Sequence, residues 1–132
     1  MQDSERIETK STTIWMDKEG LLRLKIKHGA EVDLQEMKTI FAAYKKLGCR
    51  KNKALQLIEG AHFFTIKKNA LGYAAEQGKH FFIASATVYN SLAIRILFNF
   101  FTNFYKPLVP LRIFMTKGEA MDWLRTFNQR GN

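Results

Sequence analysis

One stretch, Thr87 to Tyr105 (TVYNSLAIRILFNFFTNFY), constrains the fold of this chain more than any other. Its polar residues are ordered. Ser91, Arg95, Asn99 and Thr102/Asn103 recur at i, i+4, i+8 and i+11/i+12, a line along one side of an α-helix. The remaining circumference, from Leu92 to Tyr105, is aliphatic or aromatic. A helix with so narrow a polar stripe needs its own sheet as cover and a second subunit, a membrane surface or a partner protein besides. Burial by the sheet and a neighbouring helix alone is the competing reading, and fully covered helices are uncommon in small domains. The apolar run is too short and interrupted to cross a bilayer, which takes roughly 20 predominantly apolar residues. The stretch therefore reads as a contact surface carried by Arg95, Leu97, Phe98, Phe100, Phe101, Phe104, Tyr105 and Lys106.

With 132 residues, 46% of them hydrophobic and 25% charged, the chain is expected to form one folded domain with a core of its own. The surplus of aromatics, eleven Phe, four Tyr and two Trp, belongs to core and interface. A formal charge of +9 is unevenly spread. From Gly60 to Gly118 the only acid is Glu76, against Lys67, Lys68, Lys79, Arg95, Lys106, Arg112 and Lys117. That half should carry a positive potential and attract anionic lipid, nucleic acid or acidic protein, unless it is simply a basic surface without a dedicated partner. A lone cysteine, Cys49, excludes an intrachain disulfide and any multi-cysteine metal site. The polar N-terminus lacks the apolar run of a signal peptide, so a cytoplasmic protein is expected.

Residues 1–10 read as a frayed lead-in and residues 11–132 as the domain. TTIWMD (Thr12–Asp17) and LLRLKIK (Leu21–Lys27) are strand-like runs around a tight turn at Lys18-Glu19-Gly20. The second run alternates, with Leu22, Leu24 and Ile26 inward and Arg23, Lys25 and Lys27 on a basic outer face. His28 to Val32 reads as a loop. Asp33 to Glu36 has capping-box form and opens a helix that Lys45, Lys46 and Gly48 close. Lys53–Glu59 is a strand, Thr65 an N-cap for a helix to about Gly78, and His80–Ser85 a strand running into the Phe-rich helix. Pro107 and Pro110 end that helix. Leu111–Met115 is the last strand, and Thr116 to Glu119 a second capping box before a final helix with Ala120, Met121, Trp123, Leu124 and Phe127 inward. The fold class expected is α/β: an N-terminal strand hairpin, then four βα units with right-handed crossovers, a mainly parallel mixed sheet and packed helices.

Four βα turns behind an initial strand resemble the SpoIIAA-like fold of STAS domains and anti-sigma-factor antagonists. The local sequence is similar to a small bacterial family within that fold at four places. They are Ile14-Trp15-Met16-Asp17-Lys18-Glu19-Gly20, Asn99-Phe100-Phe101, Lys106-Pro107-Leu108-Val109-Pro110 and Glu119-Ala120-Met121-Asp122-Trp123-Leu124. The resemblance spans nearly the whole chain and implies a mostly non-enzymatic module that binds protein partners, with lipid or membrane contact in some relatives. In the phosphorylated antagonists the switch serine opens the helix after a central strand, in an Asp-Ser-Ser/Thr-Gly type of turn. The matching place here is His62-Phe63-Phe64-Thr65-Ile66, where the Asp and Gly are absent and Thr65 is the only hydroxyl. A phosphate on Thr65 would sit at a helix N-terminus beside Lys67 and Lys68. Capping preference favours a plain N-cap threonine instead.

No catalytic constellation is visible. His28, His62 and His80 lack ligand spacing, so no metal is expected, and no cofactor fingerprint appears. Cys49 sits beside Arg50, Lys51 and Lys53 and reads as an exposed loop thiol without a base. The serines form no nucleophile elbow, and the basic residues lack the aromatic interleaving of a specific nucleic-acid reader. The sequence thus predicts a non-catalytic STAS-type binding domain acting through protein contact as a homodimer. Its competitor is a peripheral membrane module that uses the same helix against an anionic surface.

Overall fold

Along the chain the elements are β1 (Ile7–Glu8), β2 (Thr12–Met16), β3 (Leu22–Ile26), β4 (Ala30–Val32), α1 (Leu34–Lys46), β5 (Ala54–Glu59), β6 (Phe64–Ile66), α2 (Lys68–Gln77), a 3-10 turn (Gly78–His80), β7 (Phe82–Val88), β8 (Leu111–Phe114) and α3 (Lys117–Arg130). The computed structural model describes residues 2–60, 64–89, 95, 98, 99, 103 and 108–130. Between β7 and β8, Arg95, Phe98, Asn99 and Asn103 are helical.

The main sheet has six strands in the order β1-β2-β3-β5-β7-β8. β1, β2 and β3 are antiparallel neighbours, whereas β3, β5, β7 and β8 run parallel. Each parallel step needs a crossover, and α1, α2 and the helical residues Arg95, Phe98, Asn99 and Asn103 lie on those crossovers. This is the α/β arrangement expected, with a mainly parallel mixed sheet.

Both faces of the sheet are covered. On one, Ile14, Leu22 and Leu24 share a core with Met37, Ile40, Phe41 and Tyr44 of α1 and with Phe81 and Phe82. On the other, Leu55, Leu57, Ala84 and Ala86 pack with Ala120 and Leu124 of α3. Two-sided cover explains Arg23, expected on a basic solvent face. Its guanidinium is largely buried, pairs with Glu59 at 2.6 Å and Asp17 at 3.5 Å, and lies 5.2 Å from the Trp15 ring centroid. Lys25 and Lys27 are exposed as expected, and Lys27 meets Glu8 at 3.0 Å.

Local chemistry set the helix ends. The Asp33 carboxylate accepts the Glu36 amide at 2.8 Å, and Gly48, at φ +88°, closes α1 in the left-handed region with its N–H on the Lys45 carbonyl at 3.0 Å. Thr116 caps α3 through the Glu119 amide at 3.2 Å, and its hydroxyl donates to the Glu119 carboxylate at 2.9 Å. In the first box, by contrast, the acid does not reach back. Glu36 is buried, and its Oε2 accepts the Ser11 amide at 2.9 Å, the Thr9 hydroxyl at 2.8 Å and the Ser11 hydroxyl. Burial pushes the Glu36 carboxyl up, but the Ser11 and Thr9 donors outweigh it and hold the group below its ordinary value.

Five expectations are corrected. Residues 30–32, read as loop, form β4, which pairs in parallel with β6 through Ala30–Phe64, Glu31–Thr65 and Val32–Ile66. Thr65 therefore lies inside β6 and is no N-cap; Lys67 precedes α2 and offers no side-chain cap. Thr87 and Val88, read as the start of the Phe-rich helix, end β7 opposite Ile58 and Glu59, where two β-branched residues fit a strand. Cys49 is fully buried, because the Gly48 turn directs the chain inward and the Cys49 amide bonds the Tyr44 carbonyl at 3.1 Å. Burial pushes its thiol up to about 11. Finally, the lead-in expected over residues 1–10 includes strand β1, and the Ser4 amide donates to the Met16 carbonyl at 2.7 Å.

Candidate functional site

Between the first face of the sheet and helices α1 and α2 lies a cavity of about 380 Å³. Its floor comes from alternate residues of the central strands: Gln56 and Ile58 of β5, Ser85 and Thr87 of β7, and Leu111 of β8. Phe41 and Tyr44 of α1 form one wall, and Leu71, Ala74 and Ala75 of α2 form another. Phe98, the half-buried member of the helical residues between β7 and β8, also lines it. The walls are overwhelmingly hydrocarbon, and no charged side chain lines the cavity among the described residues. Space of this kind is expensive for a fold.

A short polar relay crosses the cavity wall. The Ser85 hydroxyl donates to the Gln56 carbonyl oxygen at 2.9 Å, and the Gln56 amide donates to the Tyr44 hydroxyl at 2.6 Å. All three residues are buried. Donation runs toward the phenol, which makes its own O–H the terminal donor of the relay. Burial raises the Tyr44 hydroxyl far above its ordinary value, so it stays protonated at any physiological pH. Phe41 holds this wall rigid, with edge-on contacts to Tyr44 at 5.0 Å, Tyr73 at 5.5 Å and Phe81 at 5.2 Å between centroids.

At the C-terminal edge of the sheet, Phe64 lines the cavity and meets Tyr89 edge-on at 5.4 Å. Both rings crowd Gly60: a Cβ there would stand 2.6 Å from the Tyr89 ring and 3.0 Å from Phe64. Gly60→Ala is therefore expected to destabilise the protein by about 1–3 kcal/mol, as overpacking does. A urea midpoint lowered at unchanged slope checks this.

The contact surface expected from sequence is only partly in view. Arg95, Asn99 and Asn103 are exposed, whereas Phe98, expected on the contact surface, is half-buried and lines the cavity. The Arg95 guanidinium lies 4.0 Å from the Met115 sulfur, which places this stripe beside the end of β8. Leu97, Phe100, Phe101, Phe104, Tyr105 and Lys106 lie outside the described residues. Thr65 is exposed and stands on the cavity rim in β6. Among the described residues no cluster of histidine, cysteine and carboxylate side chains has the geometry to hold a metal ion. Nor, among them, is any helix long and apolar enough to cross a membrane. Sequence reading missed the cavity and its relay. The available signal was Gln56 and Ser85, polar residues at inward positions of the central strands.

The sheet order and the covering helices give a SpoIIAA-like α/β fold. The chain belongs to the family described as Domain of unknown function (DUF7793), whose model matches residues 14–128. It is similar to an uncharacterized DUF3478-family protein with a SpoIIAA-like fold from Shewanella loihica PV-4, with a TM-score of 0.58 and 13% identity over 93% of this chain and 94% of that one. It is also similar to the anti-sigma factor antagonist SpoIIAA in its unphosphorylated form, with a TM-score of 0.56 and 13% identity over 87% of this chain and 98% of the other. None of the curated proteins matches it.

Proposed function

We propose that this chain is a non-enzymatic regulatory module of the SpoIIAA/STAS type, a cytoplasmic domain that takes in β1 and works through protein–protein contact as a homodimer. The likeness to an anti-sigma factor antagonist supports a protein partner. The observation that carries the reading is a pair of exposed apolar residues beside the Phe-rich stretch. Leu108 is 72% exposed directly after it, and Met115, 50% exposed, touches Arg95 within it. Large exposed apolar side chains next to an amphipathic segment suit an interface with an apolar centre and a polar rim. Sedimentation equilibrium tests the homodimer. The wild type is expected at twice the chain mass, and Leu108→Asp with Met115→Glu is expected to weaken association by about tenfold or more while leaving the fold intact. A wild-type protein that stays monomeric at high micromolar concentration would remove the dimer from the proposal.

One observation favours a second reading, attachment to an anionic membrane surface. The His80 imidazole is held below its ordinary value by partial burial and by the positive charges of Arg50, Lys79 and Lys53 around it. Such a local positive field would attract anionic headgroups and fade with salt. Flotation with anionic vesicles at low and high salt separates the two readings.

A further inference from the structure

We propose that the cavity between the central strands and helices α1 and α2 is a binding site for a neutral lipophile, an elongated hydrocarbon body carrying at most one or two uncharged hydrogen-bonding groups. Three observations converge on that chemistry. The volume, about 380 Å³, lies in the range of small-molecule sites and, scaled from the roughly 150 Å³ that holds one benzene, accommodates roughly fifteen heavy atoms. No charged side chain lines it among the described residues, so a charged ligand group would be buried without a counter-charge. The Ser85–Gln56–Tyr44 relay ends in a phenol that stays protonated, a donor suited to one carbonyl or hydroxyl oxygen of the guest. The polar relay fixes orientation and the hydrocarbon walls supply the affinity.

The rim adds a route. Thr65 both lines the cavity and is exposed to solvent, so a chain seated inside reaches the surface beside β6. The same chemistry therefore fits a free lipophile or the hydrocarbon tail of a lipid whose charged head stays outside. Phe98 lines the cavity while its helical neighbours Arg95 and Asn99 face outward, so an occupant would press on the inner side of the proposed contact segment. The inference does not depend on whether that segment meets a second copy, a partner or a membrane.

The test uses the full chain and N-phenyl-1-naphthylamine, a neutral fluorescent lipophile. Saturable binding of one dye per chain is expected, with displacement by 1-dodecanol but not by 12-aminododecanoate, which is charged at both ends. Ala74→Phe, which places a ring inside the cavity, is expected to weaken dye binding by at least about tenfold while a cooperative melt is retained. Ala75→Leu is the milder filling variant should the phenylalanine disturb folding. Displacement by dodecanol alone identifies a free lipophile as the guest. Displacement only by lysophosphatidylcholine, again lost in the filled variants, identifies a lipid tail. The proposal is overturned if dye binding does not saturate at one per chain, if the filled and folded variants bind it as well as wild type, or if 12-aminododecanoate competes as well as dodecanol.

Discussion

Glu36→Ala is expected to cost about 3 kcal/mol, read as a fall in the urea midpoint. The carboxylate is the common acceptor for the Ser11 amide, the Ser11 hydroxyl and the Thr9 hydroxyl, and Ser11 is itself buried. Removing it strands donors away from water, at about 1–3 kcal/mol for each buried group left unpaired. It also frees the chain between β1 and β2 from the first turn of α1. A pH dependence follows. The folded-state carboxyl is held below its ordinary value of 4.5, so its contribution is fully present above pH 4.5 and is lost as pH falls through the lower, folded value. Stability measured from pH 6 downward should therefore drop more steeply in the wild type than in Glu36→Gln, which has no proton to take up. Parallel curves for the two proteins would show that the Ser11–Thr9 clamp contributes nothing.

Leu57→Ala should have a still larger effect, about 4 kcal/mol and a fall in Tm of roughly 10–20 °C. Leu57 is fully buried on β5, the strand that lies between β3 and β7 in the sheet. Its cluster under α3 sets Ala84, Ala86 and Ala120 beside Leu21, Leu55 and Leu124. The three alanines have nothing to swing into the space, so a void remains on their side and the loss falls within the usual range for a buried leucine. Leu57→Ile, which keeps the volume, is expected to cost less than about 1.5 kcal/mol. Thermal melts of the two variants make the comparison.

What was legible in the sequence was what local chemistry decides. The alternation of Leu22, Leu24 and Ile26 placed β3, and Asp33, Gly48 and Thr116 marked helix ends, because each acts within a turn or two of its own position. The parallel order followed from the succession of strands and helices. The β4–β6 pair was hidden for the opposite reason: three-residue strands carry too little pattern, and their pairing joins residues more than thirty positions apart. Arg23 was misjudged because a single alternating strand does not reveal that Trp15, Asp17 and Glu59 close over its second face. The cavity was the least legible feature, since it is a property of many elements meeting and of the side-chain volume they fail to fill. Gln56 and Ser85 were its only local trace.

The strand order also dictates how the chain can assemble. Only the β1–β2–β3 corner closes through short loops, so it is the one part of the sheet able to zip from local contacts. Every later strand must search across a crossover before it gains a partner, first β5 on β3, then β7 on β5, then β8 on β7. Loop closure is therefore met three times before the edge is complete, which places refolding toward the slow end for a domain of this size. The Phe-rich stretch belongs to the last of those closures. Until β8 docks, that stretch is anchored at one end only, and aggregation competes with folding at that step.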